Sequence, residues 1–256
     1  MLNIVRRRLI AALAPISIVA LAGCGECGNC TVPAYHPTPA PAPCLLSAAR
    51  GQTLPNLGTA APFAVLAGSA VNNTGASIVT GELGVSPGKT VTGFPPGTVS
   101  GAVHADDAAA QQAQSDLTAA YGDLAGRTGG TPVAGDLGRL TLFPGLYTST
   151  SSLAISSGNL TLDAQGDPNG VFIFQVASTL SVAPDRAIDL IGSAHPCHVF
   201  WQVGNSANLG AGSTFEGSIL ANQSIAIGTG ATMHGRALAR SGAVTLDTDR
   251  VTDPAP

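Results

Sequence analysis

Residues 209–217 read LGAGSTFEG, and residues 227–235 read IGTGATMHG, the same pattern displaced by 18 residues. In each copy a large apolar residue, Leu209 or Ile227, precedes a Gly-small-Gly corner. A second, Phe215 or Met233, follows it two residues before the next Gly. A short strand, a corner and another short strand at a fixed offset mark a solenoid, in which one coil lies on the next and equivalent side chains form ladders. The flanking sequence has the same grain. LDAQGDPNGVFIFQVASTLSV (162–182) and HPCHVFWQVGNSANLG (195–210) are short apolar runs of strand length, each ended by Gly, Ser or Thr.

Composition agrees with many short strands. Aromatics make up only 4% of the chain while apolar residues make up 45%, so the core is built from Ala, Val, Leu and Ile; 32 Gly and 18 Pro supply frequent corners. Charged residues are 10% and the net charge is −4. Such a surface suits neither nucleic acid nor anionic headgroups, and no basic patch stands against that.

The N-terminus has the form of an export signal: Arg6, Arg7 and Arg8, an apolar run from Leu9 to Leu21, then Leu21-Ala22-Gly23-Cys24. The last four residues resemble a bacterial lipobox, which implies cleavage before Cys24 and a diacylglycerol thioether on its sulfur, with each buried methylene contributing roughly 0.8 kcal/mol to membrane attachment. Residues 1–23 are then a lipoprotein signal peptide and 24–56 a Cys- and Pro-rich linker. Residues 57–253 form the folded domain. Gly25 is not an aspartate, so in a Gram-negative host the outer membrane is the expected destination. Loss of the leader moves the charge to about −7. In the linker, TVPAYHPTPAPAP (31–43) favours extended polyproline geometry and reads as a stalk. Besides Cys24, the chain has Cys27, Cys30, Cys44 and Cys197, whose thiols allow three connectivities in an oxidising compartment. A Cys44–Cys197 bridge would pin the linker to the domain; the sequence leaves the pairing open.

One segment departs from the strand pattern. His104 to Gly126 lacks Gly and Pro until Gly122 and places Ala110, Ala113, Leu117, Ala120, Tyr121 and Leu124 at helical spacing. Asp106 and Asp107 are expected in its first turn, where the macrodipole favours acid, and Gly126 with Gly129 and Gly130 as its stop. This helix is expected to lie along an apolar flank of the stack.

LDAQGDPNGVFIFQ (162–175), HVFWQVG (198–204) and GRALARSGAVTLD (235–247), with GELGVSPG (81–88) and TGFPPG (92–97), resemble the bacterial and fungal ice-binding proteins of the discontinuous β-solenoid type. The resemblance runs from about Leu57 to Asp253. It implies a mainly β, right-handed discontinuous β-solenoid with one long α-helix alongside, acting without catalysis, cofactor or metal. The implied partner is an ice crystal surface, approached by a monomer held to the cell envelope through Cys24. The same fold can also serve as a surface adhesion or structural module that never contacts ice.

Three corners resemble the Thr-Gly/Ala-x-Thr/Asn motif on the ice-binding face of active members. Residues 229–232, Thr-Gly-Ala-Thr, match fully; 74–77 end in Ser, and 211–214 begin with Ala. The candidate ice-binding residues are therefore Thr74, Ser77, Ser213, Thr214, Thr229 and Thr232. Strand alternation turns Phe215 and Met233 inward and Thr214, Thr232 and Ser77 outward. If a corner falls between the paired positions, Thr74 and Thr229 are the exposed ones. The Gly after Ile78 comes one residue later than in the other two copies. Against an unbroken array, other coils carry Pro184-Asp185-Arg186-Ala187 and Ser156-Ser157-Gly158-Asn159. Equally, Gly, Ser and Thr at these places could serve tight corners alone.

Other clusters read more simply as structure. A polysaccharide-cleaving β-helix needs clustered carboxylates, and here they are scattered. Asp163 and Asp167 flank a turn without the alternating ligands of a calcium loop. His104 with Asp106 and Asp107 sits at a helix start. His195-Pro-Cys197-His198 leads into an apolar strand, and Trp201 in that strand is expected in the core. A lipidated Cys24 would remove one thiolate from any site with Cys27 and Cys30.

Overall fold

The 18-residue offset is a physical step from coil to coil. Thr214 pairs with Thr232, Phe215 with Met233 and Glu216 with His234, in parallel. The computed structural model describes residues 51–254; the leader, Cys24 and most of the linker lie outside the described residues. Every strand pairing among the described residues is parallel, and the strands form a three-sided β-solenoid.

The first side is a nine-stranded sheet. In stacking order its strands are Val103–Ala105, Glu82–Val85, Phe63–Ala67, Ala237–Ala239, Ser218–Ala221, Val199–Val203, Phe172–Val176, Gly145–Ser149 and Thr131–Pro132. The chain is thus not wound in sequence order. The N-terminal coils sit on the C-terminal one, Val65 beside Ala237, and the remaining coils run down to Thr131. Arg236 closes this junction, its Nη2 2.7 Å from Asp253 and its Nε donating to the Ala61 carbonyl at 2.6 Å.

The inner strands of this sheet, such as Phe63–Ala67, Phe172–Val176 and Val199–Val203, read as near-continuous apolar runs because both of their faces are covered. Inward, Tyr147, Phe174 and Trp201 stack in register, with ring centroids 5.2 and 3.8 Å apart, and Phe215 tilts against Trp201 at 5.5 Å. Each such contact contributes about 0.5–1.5 kcal/mol beyond area burial. Trp201 is fully buried, as expected, and its indole N–H donates to the Glu216 carbonyl. Outward, Leu66, Ile173, Phe200, Leu220 and Leu238 pack in one cluster with Ala113, Leu117, Ala120 and Leu124 of the helix Ala108–Gly126, α1.

The periodicity places the buried stripe of α1 correctly and its start four residues early. His104 still belongs to the strand Val103–Ala105, and Asp107 is the N-cap, its carboxylate accepting from Ala110 N–H at 2.9 Å. At the other end, the buried Gln175 side chain donates to the Leu124 and Arg127 carbonyls at 2.7 and 2.8 Å. A sheet side chain thus satisfies carbonyls that the helix end leaves open.

The second side is an eight-stranded sheet of Thr90–Thr92, Ala70–Thr74, Val244–Asp247, Ile225–Ile227, Ala207–Leu209, Leu180–Val182, Leu153–Ile155 and Gly135–Asp136. The third side comprises a five-stranded and a three-stranded sheet, linked by a bridge from Ala187 to Thr214.

Candidate functional site

On the second side, residues alternate strictly between core and solvent. Val71, Val244, Leu246, Ile225, Ile227, Leu209, Leu180, Val182, Leu153 and Ile155 point into the core. Between them a residue of each strand faces out, and pairing aligns these as Thr92, Asn72, Thr245, Ala226, Asn208, Ser181, Ala154 and Asp136. Seven strand steps of about 4.8 Å make the row roughly 34 Å long. From Thr92 to Ala154 it carries no charge and no side chain larger than Asn. Strands locked in register over a close-packed core hold it rigid.

The only acid in the row stands at its lower edge and is internally satisfied. Asp136 accepts from the N–H groups of Gly138, Ser156 and Ser157 and from the Ser156 hydroxyl at 2.7–2.9 Å. Partial desolvation raises its pKa, but those bonds outweigh it and hold the carboxyl well below the usual range. At the corner leading onto this sheet, the Ser152, Ser206 and Ser224 hydroxyls accept N–H groups of Thr179, Ser224 and Ala243 on the neighbouring coil. Those serines stitch coils together.

The six residues singled out by motif do not form one array. Thr214 and Thr232 face outward side by side on the third side, half-buried. Their row continues through Arg250 to Ile78. The adjacent row holds Glu216, His234, Thr252 and Thr80, with His234 Nδ1 2.8 Å from Glu216 Oε1. Burial pushes the Glu216 pKa up, opposed by that histidine. Thr74 is exposed at the end of its strand on the second side, opposite Asp247. Thr229 is exposed in the corner, with its hydroxyl donated to Asp247.

The expectation that Ser77 points outward is corrected, and the candidate Ser213 is likewise withdrawn from the surface: each is 1% exposed. Ser77 donates to Asn73 Oδ1 and accepts from Asp249 N–H. Alignment from the leading Thr-Gly places Ser77 beside Thr232, but the observed register pairs Ile78 with Arg250 and Arg250 with Thr232. The late Gly81 marks this one-residue slip, which moves every side chain to the other face. Ser213 lies one residue before the outward Thr214 and so turns inward.

Motif reasoning missed the second-side row, although it left a trace. The triplets Leu153-Ala-Ile155, Leu180-Ser-Val182, Ala207-Asn-Leu209, Ile225-Ala-Ile227 and Val244-Thr-Leu246 each set one small residue between two apolar ones. The other clusters are structural where they are placed. Asp163 and Asp167 accept from Gln165 and Asn169 N–H in Asx turns. His104 lies 2.7 Å from the cap residue Asp107, and Cys197 is disulfide-bonded.

Fold and surface together define a class: a parallel β-solenoid with one flanking helix that presents a long row of small, uncharged residues on one sheet. The chain belongs to the ice-binding-like family, whose sequence profile matches residues 65–252. An ice-binding protein of Nostoc sp. (strain HG1) is 47% identical over 207 residues, spanning 80% of this chain and 76% of that one. One from Flavobacterium frigoris (strain PS1) is 38% identical over 224 residues, 80% of this chain and 79% of its own. Among solved structures, an ice-binding protein from an Antarctic biological consortium superposes with a TM-score of 0.78 at 49% identity, covering 80% of this chain and 93% of that one. The DUF3494 domain of Shewanella frigidimarina ice-binding protein 1 gives 0.74 at 29% identity, covering 79% and 98%.

Proposed function

We propose that this protein binds ice, and that it does so through the outward row Thr92, Asn72, Thr245, Ala226, Asn208, Ser181 and Ala154. The observation that carries the reading is that row's freedom from charge over seven strands on a rigid, buried backing. Strands about 4.8 Å apart, and alternate residues about 6.6 Å apart, form a grid near the oxygen spacings of ice. Methyl groups order the water above them, and hydroxyl and amide groups anchor it. The ordered layer then merges with a crystal, whose front curves around the bound protein and stops advancing. Adsorption of this kind makes and breaks no covalent bond, so the protein works without turnover, as a monomer. The third side suits ice poorly, because Arg250 interrupts its Thr row and a Glu–His pair lies beside it.

We further propose that the chain is exported, loses residues 1–23 and is acylated at Cys24, leaving the domain 57–253 on a Pro-rich stalk at the cell envelope. There it would limit recrystallisation around the cell or hold the cell to ice. Thermal hysteresis and recrystallisation inhibition on the purified chain test the first proposal. A folded protein inactive in both assays refutes it and leaves surface adhesion as the reading. Detergent-phase partitioning that disappears in Cys24→Ser tests the second.

A further inference from the structure

Where the third side turns into the first, two of the upper coils make the corner with a single glycine, Gly81 or Gly217. Two lower coils instead insert residues 164–171 and 192–198 at that corner, while the coil below them turns on Phe143 and Pro144 alone. Stacking does not require the insertions, because the flanking strands pair in parallel with or without them. The step from the short corner to the projecting loop leaves a cleft of about 520 Å³, lined by Phe143, Pro144, Ala164, Gln165, Gly166 and Asp167. That volume lies within the roughly 300–1,000 Å³ of small-molecule sites. We infer that this cleft binds a neutral saccharide, separately from the second side.

Its residues supply what a sugar ring requires. Phe143 is 44% exposed, yet its backbone is fixed from the core: its N–H donates to the Tyr147 hydroxyl at 3.1 Å, and its carbonyl accepts from that hydroxyl at 2.7 Å. Tyr147 is itself stacked on Phe174. An aromatic ring held in this way offers its electron-rich face to the C–H groups of a pyranose. Gln165 is kept in the left-handed region, at φ +55°, by its N–H bond to Asp163 Oδ1 at 2.8 Å and by Gly166 N–H donating to the Gly192 carbonyl at 2.8 Å. Its side-chain amide is exposed and makes no hydrogen bond among the described residues. Asp167 uses one carboxylate oxygen to accept from Asn169 N–H at 3.0 Å and keeps the other as an acceptor. An amide that donates and accepts, beside a carboxylate that accepts, matches the neighbouring hydroxyls of a saccharide. Among the described residues no Lys or Arg lines the cleft, so an acidic sugar meets only the like charge of Asp167. The two walls are held close. A Cβ on Gly170 would meet Pro144 Cγ at 2.6 Å, so the loop returns tightly against the Phe143-Pro144 corner.

Position gives the site its use. In a three-sided coil the corner between the third and first sides lies opposite the second side, which leaves a surface glycan and an ice front free to be held at once.

The test is saturation-transfer NMR and titration calorimetry on the full purified chain with maltotriose, cellotriose and chitotriose, beside trigalacturonate as acidic control and tetramethylammonium as cationic control. The expected result is saturable binding of a neutral trisaccharide with a Kd on the order of 1 mM, as an open cleft gives. Binding should weaken more than tenfold in Phe143→Ala and in Gln165→Asn, at an unchanged thermal midpoint, and persist in Asn208→Tyr on the second side. Asn tolerates a left-handed φ, so Gln165→Asn shortens the amide without disturbing the turn. Recrystallisation inhibition should be the same in Phe143→Ala, Gln165→Asn and the parent, so this inference and ice binding fail separately. Absence of binding by all three neutral sugars at about 10 mM, where a millimolar site is mostly filled, overturns the site. Binding unaffected by both substitutions overturns it equally. A preference for trigalacturonate or tetramethylammonium overturns the ligand class.

Discussion

Asn208→Tyr puts the proposed ice side to its most direct test. Asn208 is exposed, with Ser181 on one neighbouring strand and Ala226 on the other. A tyrosine there stands about 4 Å above the row, more than the ~2.8 Å of one hydrogen-bonded water layer. A rigid sheet propped at that point tilts, and the residues on one side of it lose the crystal. Three lost contacts at about 0.5–1 kcal/mol each remove roughly 1.5–3 kcal/mol, a factor of roughly 12–140 in adsorption. Stability should hardly change, because the position faces solvent and Tyr favours strands, so a shift within about 0.5 kcal/mol is expected. The assay is the lowest concentration that arrests recrystallisation, measured beside the thermal midpoint. It should rise more than tenfold in Asn208→Tyr and stay unchanged in Thr232→Tyr on the third side. Full activity in Asn208→Tyr with loss in Thr232→Tyr would refute the assignment and move the site to the row containing Arg250.

Three further outcomes follow from the packing. Arg236→Ala removes the guanidinium from the buried Asp253 side chain and from the Ala61 carbonyl, and should cost about 3–5 kcal/mol in denaturant unfolding; Arg236→Ala with Asp253→Asn should recover part of it. Gln175→Leu removes the donors to the Leu124 and Arg127 carbonyls and the acceptor for Thr148, costing about 2–3 kcal/mol, with amide exchange quickening first at the C-terminal end of α1. Asp249 is pushed up to about 7 by burial, against N–H groups of Asp247 and Ala231 that favour its charged form. Because its folded pKa exceeds the unfolded value of about 3.9, the stability it contributes is complete below pH 4 and is lost as pH rises through 7. The thermal midpoint should fall across that window, with Glu216 acting in the same direction, and the slope should shrink in Asp249→Asn.

The coil pattern was readable because Phe215 and Met233 sit at equal distances from their glycines, and buried positions tolerate little drift. The period was readable in only part of the chain. Phe174 lies 27 residues before its partner Trp201, whereas Trp201 lies 18 before Ile219. Loops such as 192–198 lengthen the lower coils without altering the strands, so a fixed-offset search loses them. The N-terminal coils escape for another reason. Their partner is the last coil, Val71 against Val244, and no local pattern reports a pairing across 173 residues. The start of α1 was misplaced because His104 is apolar-facing in a strand as readily as in a helix. In the structure His104 pairs with Gly84 in the sheet, and the bond that the Asp107 carboxylate accepts from Ala110 N–H marks where the helix begins.

The site was harder to read than the fold because a corner motif and a flat surface make opposite demands on Thr and Gly. A corner needs a left-handed residue. Gly75, Gly212 and Gly230 have φ of +78°, +66° and +71°, and the equivalent place on the next coil holds Thr248 at +58°. Residues on either side of such a point lie on different sides of the solenoid. A Thr-Gly-x-Thr string therefore sends Thr229 toward the second side and Thr232 onto the third, and the two hydroxyls cannot share one crystal plane. A continuous array must come from one residue per coil at the centre of a strand, where apolar neighbours fix its direction. Among the described residues, the side that turns such a residue outward on each strand from Thr92 to Ala154, without charge, is the second. The first is covered by α1, and the third carries Arg250, Glu216 and His234. The unassuming triplets, apolar-small-apolar, thus carry more information about where ice is met than the Thr-rich corners do.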